Sequence, residues 1–263
     1  MVGERFAKSF ALPIAAILAF ASTSCRSTIN SSVDALASCL PSDTVAFAGL
    51  DLDQIRTSAL YQSLLPQILA GIESLRDCSY LLVAYNGRDV LFVGRGKYPE
   101  APAGATLIVP GLIVSGSPES VHSAIAQHQT GSSGAPRLLE LAKSVAGGKQ
   151  AWMIVQGGVT LPLTDNLANL NRILQLSQYV TLAAKIDSRL QLDAAAAGRN
   201  ASASQKLEES LRAILTFATA AGGHHPELEA ALQSIQIRRD DLTVHASLST
   251  TSETAAKLIR AWQ

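Results

Sequence analysis

The stretch "SYLLVAYNGRDVLFVGRG", residues 79–96, restricts the fold of this chain more than any other. Two apolar runs flank Asn86-Gly87. Both central residues of a type I′ turn need positive φ, which Asn and Gly tolerate, so the spacing predicts a tight β-hairpin. The pattern returns roughly 100 residues later. "QYVTLAAKIDSRLQLDAAAAG", residues 178–198, reads as a second hairpin turning at Asp187-Ser188. "PESVHSAIAQ" loosely matches "EESLRAILTF" in the same way, so the chain reads as a duplication at the level of pattern.

The other segments fill in each copy. "VAFAGLDL" predicts a half-buried strand, and "SALYQSLLPQILAGIESL" a helix. That helix has Ser58 as its cap, Leu60, Leu64, Ile68, Ile72 and Leu75 on one stripe, and a kink at Pro66. "ATLIVPGLIVSG" is a strand region interrupted by Pro110. Ser117 and Pro118 open the helix "SPESVHSAIAQHQTG", Gly131 lies past its end, and "RLLELAKSVAGG" is a shorter helix. The order then restarts with the strand "QAWMIVQGG" and a helix on Leu167, Leu170, Ile173 and Leu174. A long helix on Leu207, Leu211, Ile214 and Leu215 follows the second hairpin. "SIQIRRDDLTVHASLS" reads as a hairpin turning at Arg238 to Asp241, and "SETAAKLIRAW" as a last helix. Each half thus runs strand, helix, hairpin, helix. Helices interleaved with antiparallel strands predict an α+β fold with helices packed on antiparallel sheets, a ferredoxin-like unit being one way to build each half. The expected halves are residues 39–147 and 148–263.

The N-terminus carries an address. Arg5 and Lys8 precede the nearly uncharged "SFALPIAAILAFAS". Its apolar length of about a dozen residues suits the h-region of a secretory signal and falls short of the roughly 20 needed to cross a bilayer. Ala19 and Ala21 form an A-x-A-like cleavage site. Cys25, preceded by Thr23 and Ser24, resembles the lipidated cysteine of bacterial lipoproteins, although Ser22 stands where Leu is usual. The expectation is a signal over residues 1–24, lipid at Cys25 and a polar tether over 25–38, with soluble export after Ala21 as the alternative. Arg26 behind the cysteine is not the Asp that commonly marks inner-membrane retention, which favours the outer membrane.

Composition removes several classes of function. Formal charge is zero over the whole chain, so no basic field exists to hold nucleic-acid phosphates. Aromatic residues make up 5%, few for a carbohydrate or base-stacking platform. With Cys25 lipidated, Cys39 and Cys78 remain. If the strands behind them are parallel, their entry ends share one side of the sheet, and a disulfide is the expectation in an oxidising compartment.

Motifs that carry chemistry are scarce. Ser115 and Ser117, in a strand-to-helix turn, are weak candidates for an anion site, with capping the simpler role. "VAGGKQ" lacks both the upstream glycine and the Ser/Thr of a P-loop. The histidines, His122, His128, His224, His225 and His245, lack metal-ligand spacing, and His245 is expected on the strand face opposite Val244 and Ala246. Asp51 and Asp53 would share a strand face if the strand persists. Arg238 to Asp241 neutralise one another. Trp152 and Trp262 read as core, and Leu161, Pro162 and Leu163 as a helix lead-in. No cofactor is implied.

With these segments in view, the chain resembles a group of exported bacterial proteins without assigned activity. They open with a P-x-D-T strand and a D-L-x-x-L/I-R-x-S step, here Pro41, Asp43, Thr44, Asp51, Leu52, Ile55, Arg56 and Ser58. "GLIVSGSPESVHSAI" is similar as well. The resemblance implies an α+β envelope or secreted protein and no catalytic residues. The function expected is a non-enzymatic protein-interaction or structural module, held to the membrane by its lipid beside an envelope partner. The alternative is a small-ligand-binding lipoprotein with a cleft between its two halves.

Overall fold

Ten strands hydrogen-bond edge to edge in one sheet of the computed structural model, which describes residues 33–61, 75–163, 170–187, 189–221 and 226–261. They are β1 (Ala46–Asp51), β2 (Cys78–Tyr85), β3 (Val90–Gly96), β4 (Thr106–Val109), β5 (Leu112–Ser115), β6 (Ala151–Gln156), β7 (Ser177–Ile186), β8 (Arg189–Gly198), β9 (Gln236–Asp240) and β10 (Thr243–Thr251). The order is β4-β5-β3-β2-β1-β6-β7-β8-β10-β9, and every ladder is antiparallel. The α+β class expected from the sequence is the class of the fold.

The duplication is visible in the topology. Outward from the β1–β6 seam, one half runs β1-β2-β3-β5-β4 and the other β6-β7-β8-β10-β9. The repeated unit is therefore a strand, a helix, a hairpin and then a second hairpin added at the edge. A ferredoxin-like unit does not describe it: a split βαβ needs another strand between the two that flank its helix, whereas β1 and β2 are antiparallel neighbours. The stretch around Pro110 is two strands. Pro110 and Gly111, the latter at φ 80°, fit the central positions of a type II turn. The β2–β3 connection is wider than a type I′ turn. Residues 86–89 form the loop, and Asn86 Oδ1 accepts from the N–H groups of Arg88 (3.0 Å) and Asp89 (2.8 Å) as an Asx turn. The β9–β10 turn is shifted towards the C-terminus, because Arg238 and Arg239 stay in β9 and Asp241 takes the left-handed conformation at φ 49°.

Among the described residues the sheet is flanked by α1 (33–37), α2 (Leu52–Arg56), α3 (Pro118–Gln129), α4 (Pro136–Ala146), α5 (Leu170–Leu176), α6 (Ala201–Ala221), α7 (Pro226–Gln233) and α8 (Ser252–Ala261), and residues 59–61 open a further helix. By topology α8 is the counterpart of α3, so the sequence match of α3 to α6 is out of phase: α6 and α7 are extra elements of the second half. The expected tether ends earlier than residue 38. Val33, Leu36, Ala37 and Leu40 repeat at helical spacing and are fully buried, so α1 belongs to the core. Leu64, Pro66, Ile68, Ile72, Leu167, Ser188, His224, His225, Trp262 and the whole segment 1–32, Ala21 and Cys25 included, lie outside the described residues.

In the first half both sheet faces are covered. One face packs Leu82, Ala84, Val93 and Val114 under α1, α3 and α4, and the other packs Leu81, Val83 and Ile113 with Leu52, Ile55 and Leu60. Burial on both sides explains why β2 is nearly continuously apolar. In the second half α6 lies over Ala196 and Val244, while the opposite face carries Gln191, Asp193, Ala195, His245, Ser247 and Ser249, all half-buried or exposed. That is the alternation read in "TVHASLST", and it places His245 opposite Val244 as expected.

The disulfide is overturned by the same topology. Cys39 and Cys78 are free thiols. Because β1 and β2 are antiparallel, the start of β1 meets the end of β2, with Ala46 opposite Tyr85. Cys39 and Cys78 therefore sit at opposite ends of the ladder, and they pack into the two clusters on opposite faces. The sheet is also continuous at the junction where the cleft between halves was expected. β1 and β6 pair directly at the junction, and the cluster containing Phe47 and Leu82 continues through Trp152 to Ala183.

Trp152 holds that junction. The row Leu82, Gly49, Trp152, Ala183 runs across four strands, and a Cβ at Gly49 would collide with the indole. The ring meets Phe47 edge-on at 5.2 Å, and its Nε1 donates to the Tyr80 hydroxyl at 2.9 Å. Gly49→Ala is expected to lower unfolding stability by about 1–3 kcal/mol through overpacking. Trp152→Phe keeps the ring contact but leaves the buried Tyr80 hydroxyl short of its donor. Denaturant melts that show no loss for Gly49→Ala would contradict this account.

Candidate functional site

The residues singled out from the sequence are mostly taken up by structure. Ser117 caps α3, accepting from Ser120 N at 3.2 Å, and its hydroxyl donates to Ser120 Oγ at 3.0 Å. The Ser115 hydroxyl donates to the Gly104 carbonyl at 2.7 Å, tying the loop before β4 to β5. Neither serine is placed to receive an anion. Asp51 and Asp53 do not share a strand face, because β1 ends at Asp51. Asp51 caps α2 through Gln54 N at 2.9 Å, and Asp53 pairs with Arg56 at 3.1 Å. His128 Nδ1 lies 2.8 Å from Ser38 Oγ and links α3 to the end of α1. Among the described residues no three His, Cys, Asp or Glu side chains converge to hold a metal ion.

The resemblance motif is a set of structural joints. Besides the Asp51 cap, Leu52 and Ile55 are buried, and Ser58 Oγ accepts from Tyr61 N at 3.1 Å. Arg56 donates to the carbonyls of Leu75 (2.6 Å), Arg76 (3.1 Å) and Cys78 (2.7 Å), closing the chain back onto β2. Burial pushes the Cys39 thiol up to about 11 and raises that of Cys78, which disfavours the thiolate at both.

A polar chain crosses the seam. Asp51 Oδ2 accepts from Gln54 Nε2 at 2.7 Å, and Gln54 Oε1 accepts from Gln150 Nε2 at 2.9 Å. Gln150 is fully buried, and its Oε1 has no partner among the described residues. Burial pushes the Asp51 carboxyl above its ordinary range, and the Gln54 N–H opposes that shift.

Sequence reasoning missed a cleft of about 780 Å³ at the β2–β3 turn. Three separate segments build it: residues 41–44, residues 84–91 and the first turns of α3. Ala84 and Leu91 form an apolar floor, and Asp43, Asp89 and Glu119 stand around it with Arg88 exposed. Asn86 joins two of the walls, donating from Nδ2 to Asp43 Oδ2 at 3.0 Å. Burial raises the Tyr85 phenol, and the Asp89 charge adds to the shift. The P-x-D-T and Asn-Gly motifs were legible, but nothing local shows that they meet. A second groove, lined by Leu215, Thr216, Thr219 and Leu232, runs between α6 and α7 near Phe217, which is 76% exposed.

No protein-family model and no curated protein matches the chain. Two crystal forms of TP0453 are similar in fold. Form I is 12% identical, with a TM-score of 0.52, covering 87% of this chain and 97% of that one. Form III is 13% identical, with a TM-score of 0.53, covering 88% and 99%. At such identity the likeness is one of architecture, and it extends across nearly the whole of that protein.

Two outcomes check these assignments. Ser117→Ala is expected to cost about 1 kcal/mol through loss of the α3 cap, measured by denaturant unfolding. Asp51→Asn keeps a capping oxygen and removes a carboxyl whose folded-state affinity for protons exceeds that of the unfolded chain. Such a group stabilises the fold most when protonated, and that contribution is lost as pH rises through its raised value. The melting temperature of Asp51→Asn relative to the parent should therefore climb from acid towards neutral pH. A difference that is flat with pH would contradict the burial assigned to Asp51.

Proposed function

We propose that this chain is an exported bacterial protein, anchored by lipid at Cys25, that serves the cell envelope as a non-enzymatic interaction or structural module. The observation that carries the reading is the N-terminal sequence: a basic start, a short apolar run, small residues, Cys25 and a polar stretch from Arg26. The resemblance to exported bacterial proteins supports it, and so does the absorption of the serines and aspartates of the sequence motifs into caps and ties. Among the described residues no helix is long and apolar enough to cross a membrane. Attachment in this reading rests on acyl chains, towards the outer membrane, and the role on contacts with an envelope partner.

Intact mass spectrometry of the protein from its native membrane fraction, without reductant, tests the proposal. The expected species begins at Cys25, carries acyl mass and keeps Cys39 and Cys78 as thiols. A species that begins at Ser22 without lipid overturns the anchored reading in favour of a soluble exported protein.

A further inference from the structure

We propose that the end of the sheet where β1 stops and β2 starts lies against the bilayer and contacts anionic phospholipid head groups. The inference rests on lipid at Cys25 and adds which surface of the protein that lipid holds to the membrane. Orientation follows from where the chain leaves the anchor. α1 begins at Val33, so the chain between Cys25 and α1 spans at most about 28 Å even when fully extended. Asp34 pairs with Lys143 at 2.9 Å, and Lys143 lies in the last turn of α4, which leads into β6 at Ala151. Ala151 stands opposite Leu50, at the end of β1. α1 therefore starts at this same end of the sheet. β2, of 8 residues, is itself about 26 Å long. The reach of the anchor hardly exceeds one strand, so the end from which it departs stays nearest the membrane.

Charge at that end suits an anionic surface. Most of its acids are cancelled within the protein: Asp34 and Glu140 share Lys143, Asp53 pairs with Arg56, Asp187 with Lys185 and Asp193 with Lys149. Arg76, Arg95, Lys97 and Arg189 are exposed there, and among the described residues none of them forms an ion pair. Arg76 and Lys97 are held close, because Lys97 N donates to the Asp77 carbonyl at 3.0 Å, and Arg95 stands opposite Tyr80 near the start of β2. Against them are exposed Asp77 and, in the loop that leads away to β4, Glu100. The opposite end has the reverse sign. Asp43, Asp89 and Glu119 form no ion pair there among the described residues, and Arg88 stands beside them. A chain of zero formal charge is thus polarised along its strands, with the positive end where the anchor leaves.

An apolar group belongs to the same surface. Val109 is 44% exposed, ends β4 just before the turn into β5, and shares a row with Leu112 and Arg95. A side chain of this kind between cations rests at the head-group boundary while the cations meet phosphates. Each Lys or Arg held near an anionic membrane strengthens attachment about fivefold, so a few unpaired cations suffice to fix the orientation of a protein already anchored by lipid.

Lys97 and Lys206 report the two ends, since Lys206 is exposed near the start of α6, directly after β8 has run to the far end. The test is amine acetylation of the full mature chain, acylated and reconstituted in phosphatidylcholine vesicles with or without phosphatidylglycerol, read by mass spectrometry. Phosphatidylglycerol is expected to slow labelling of Lys97 about fivefold and leave Lys206 unchanged. High salt should restore the rate at Lys97, and Arg76→Gln/Arg95→Gln should do the same, whereas Arg88→Gln should not. The salt arm carries the test by itself if the double variant fails to fold. Acylated protein whose Lys97 labels equally on both vesicles, or whose Lys206 is the slowed residue, overturns this inference and leaves the anchor standing. Slowing of Lys97 in native membranes but not on phosphatidylglycerol overturns it in favour of an acidic protein partner. The same spectra report acyl mass, and its absence from protein of the native membrane overturns the anchored reading and this orientation with it.

Discussion

The indole of Trp152 lying across Gly49 is the contact on which the rest of this fold depends. It is made between the two copies of a duplicated unit, at the ladder where β1 of the first pairs with β6 of the second. Phe47 and Tyr80 belong to one copy and Trp152 to the other, so ring packing and the Tyr80 hydrogen bond join what the chain had repeated. The sheet runs unbroken through this seam. The cleft at the β2–β3 turn lies elsewhere, where loops meet the first turns of α3.

Symmetry in the strands does not extend to the layers. The first half buries both faces of its sheet, whereas in the second half the outer strands β8 and β10 leave one face largely half-buried or exposed, with the extra helices α6 and α7 on the side that is covered. The bare side is polar and of small residues, as a solvated antiparallel face should be. The two sheet edges are blunted by different means. β9 exposes Arg238, Arg239 and Asp240, while β4 is four residues long, irregular between Leu107 and Val109, and followed by Pro110. Both devices discourage strand addition from a second molecule.

Much of the architecture was legible because it is local. The β2–β3 and β7–β8 hairpins, the caps at Ser58 and Ser117 and the alternation of β10 each follow from a handful of adjacent residues. Errors arose where one pattern fits two geometries. "TLIVPGLIVS" reads equally as a broken strand or as two strands around a tight turn. The segment at residues 33–38 follows the polar run Arg26 to Ser32 but is helical in the spacing of Val33, Leu36 and Ala37. The disulfide failed on a single topological premise: a helix between two strands suggested a parallel pair, and β1 and β2 are antiparallel neighbours.

The sequence by itself determined the α+β class, the duplication and the expectation of export, because those rest on periodicity and on short runs of residues. Only the tertiary structure decided that the copies share one sheet, that Cys39 and Cys78 lie on opposite faces, and that Asp43, Thr44, Asp89 and Glu119 surround one cleft. The physical reason is that register and strand order are settled by which apolar faces can be buried together. That choice depends on residues far apart in the chain, such as Gly49 making room for Trp152.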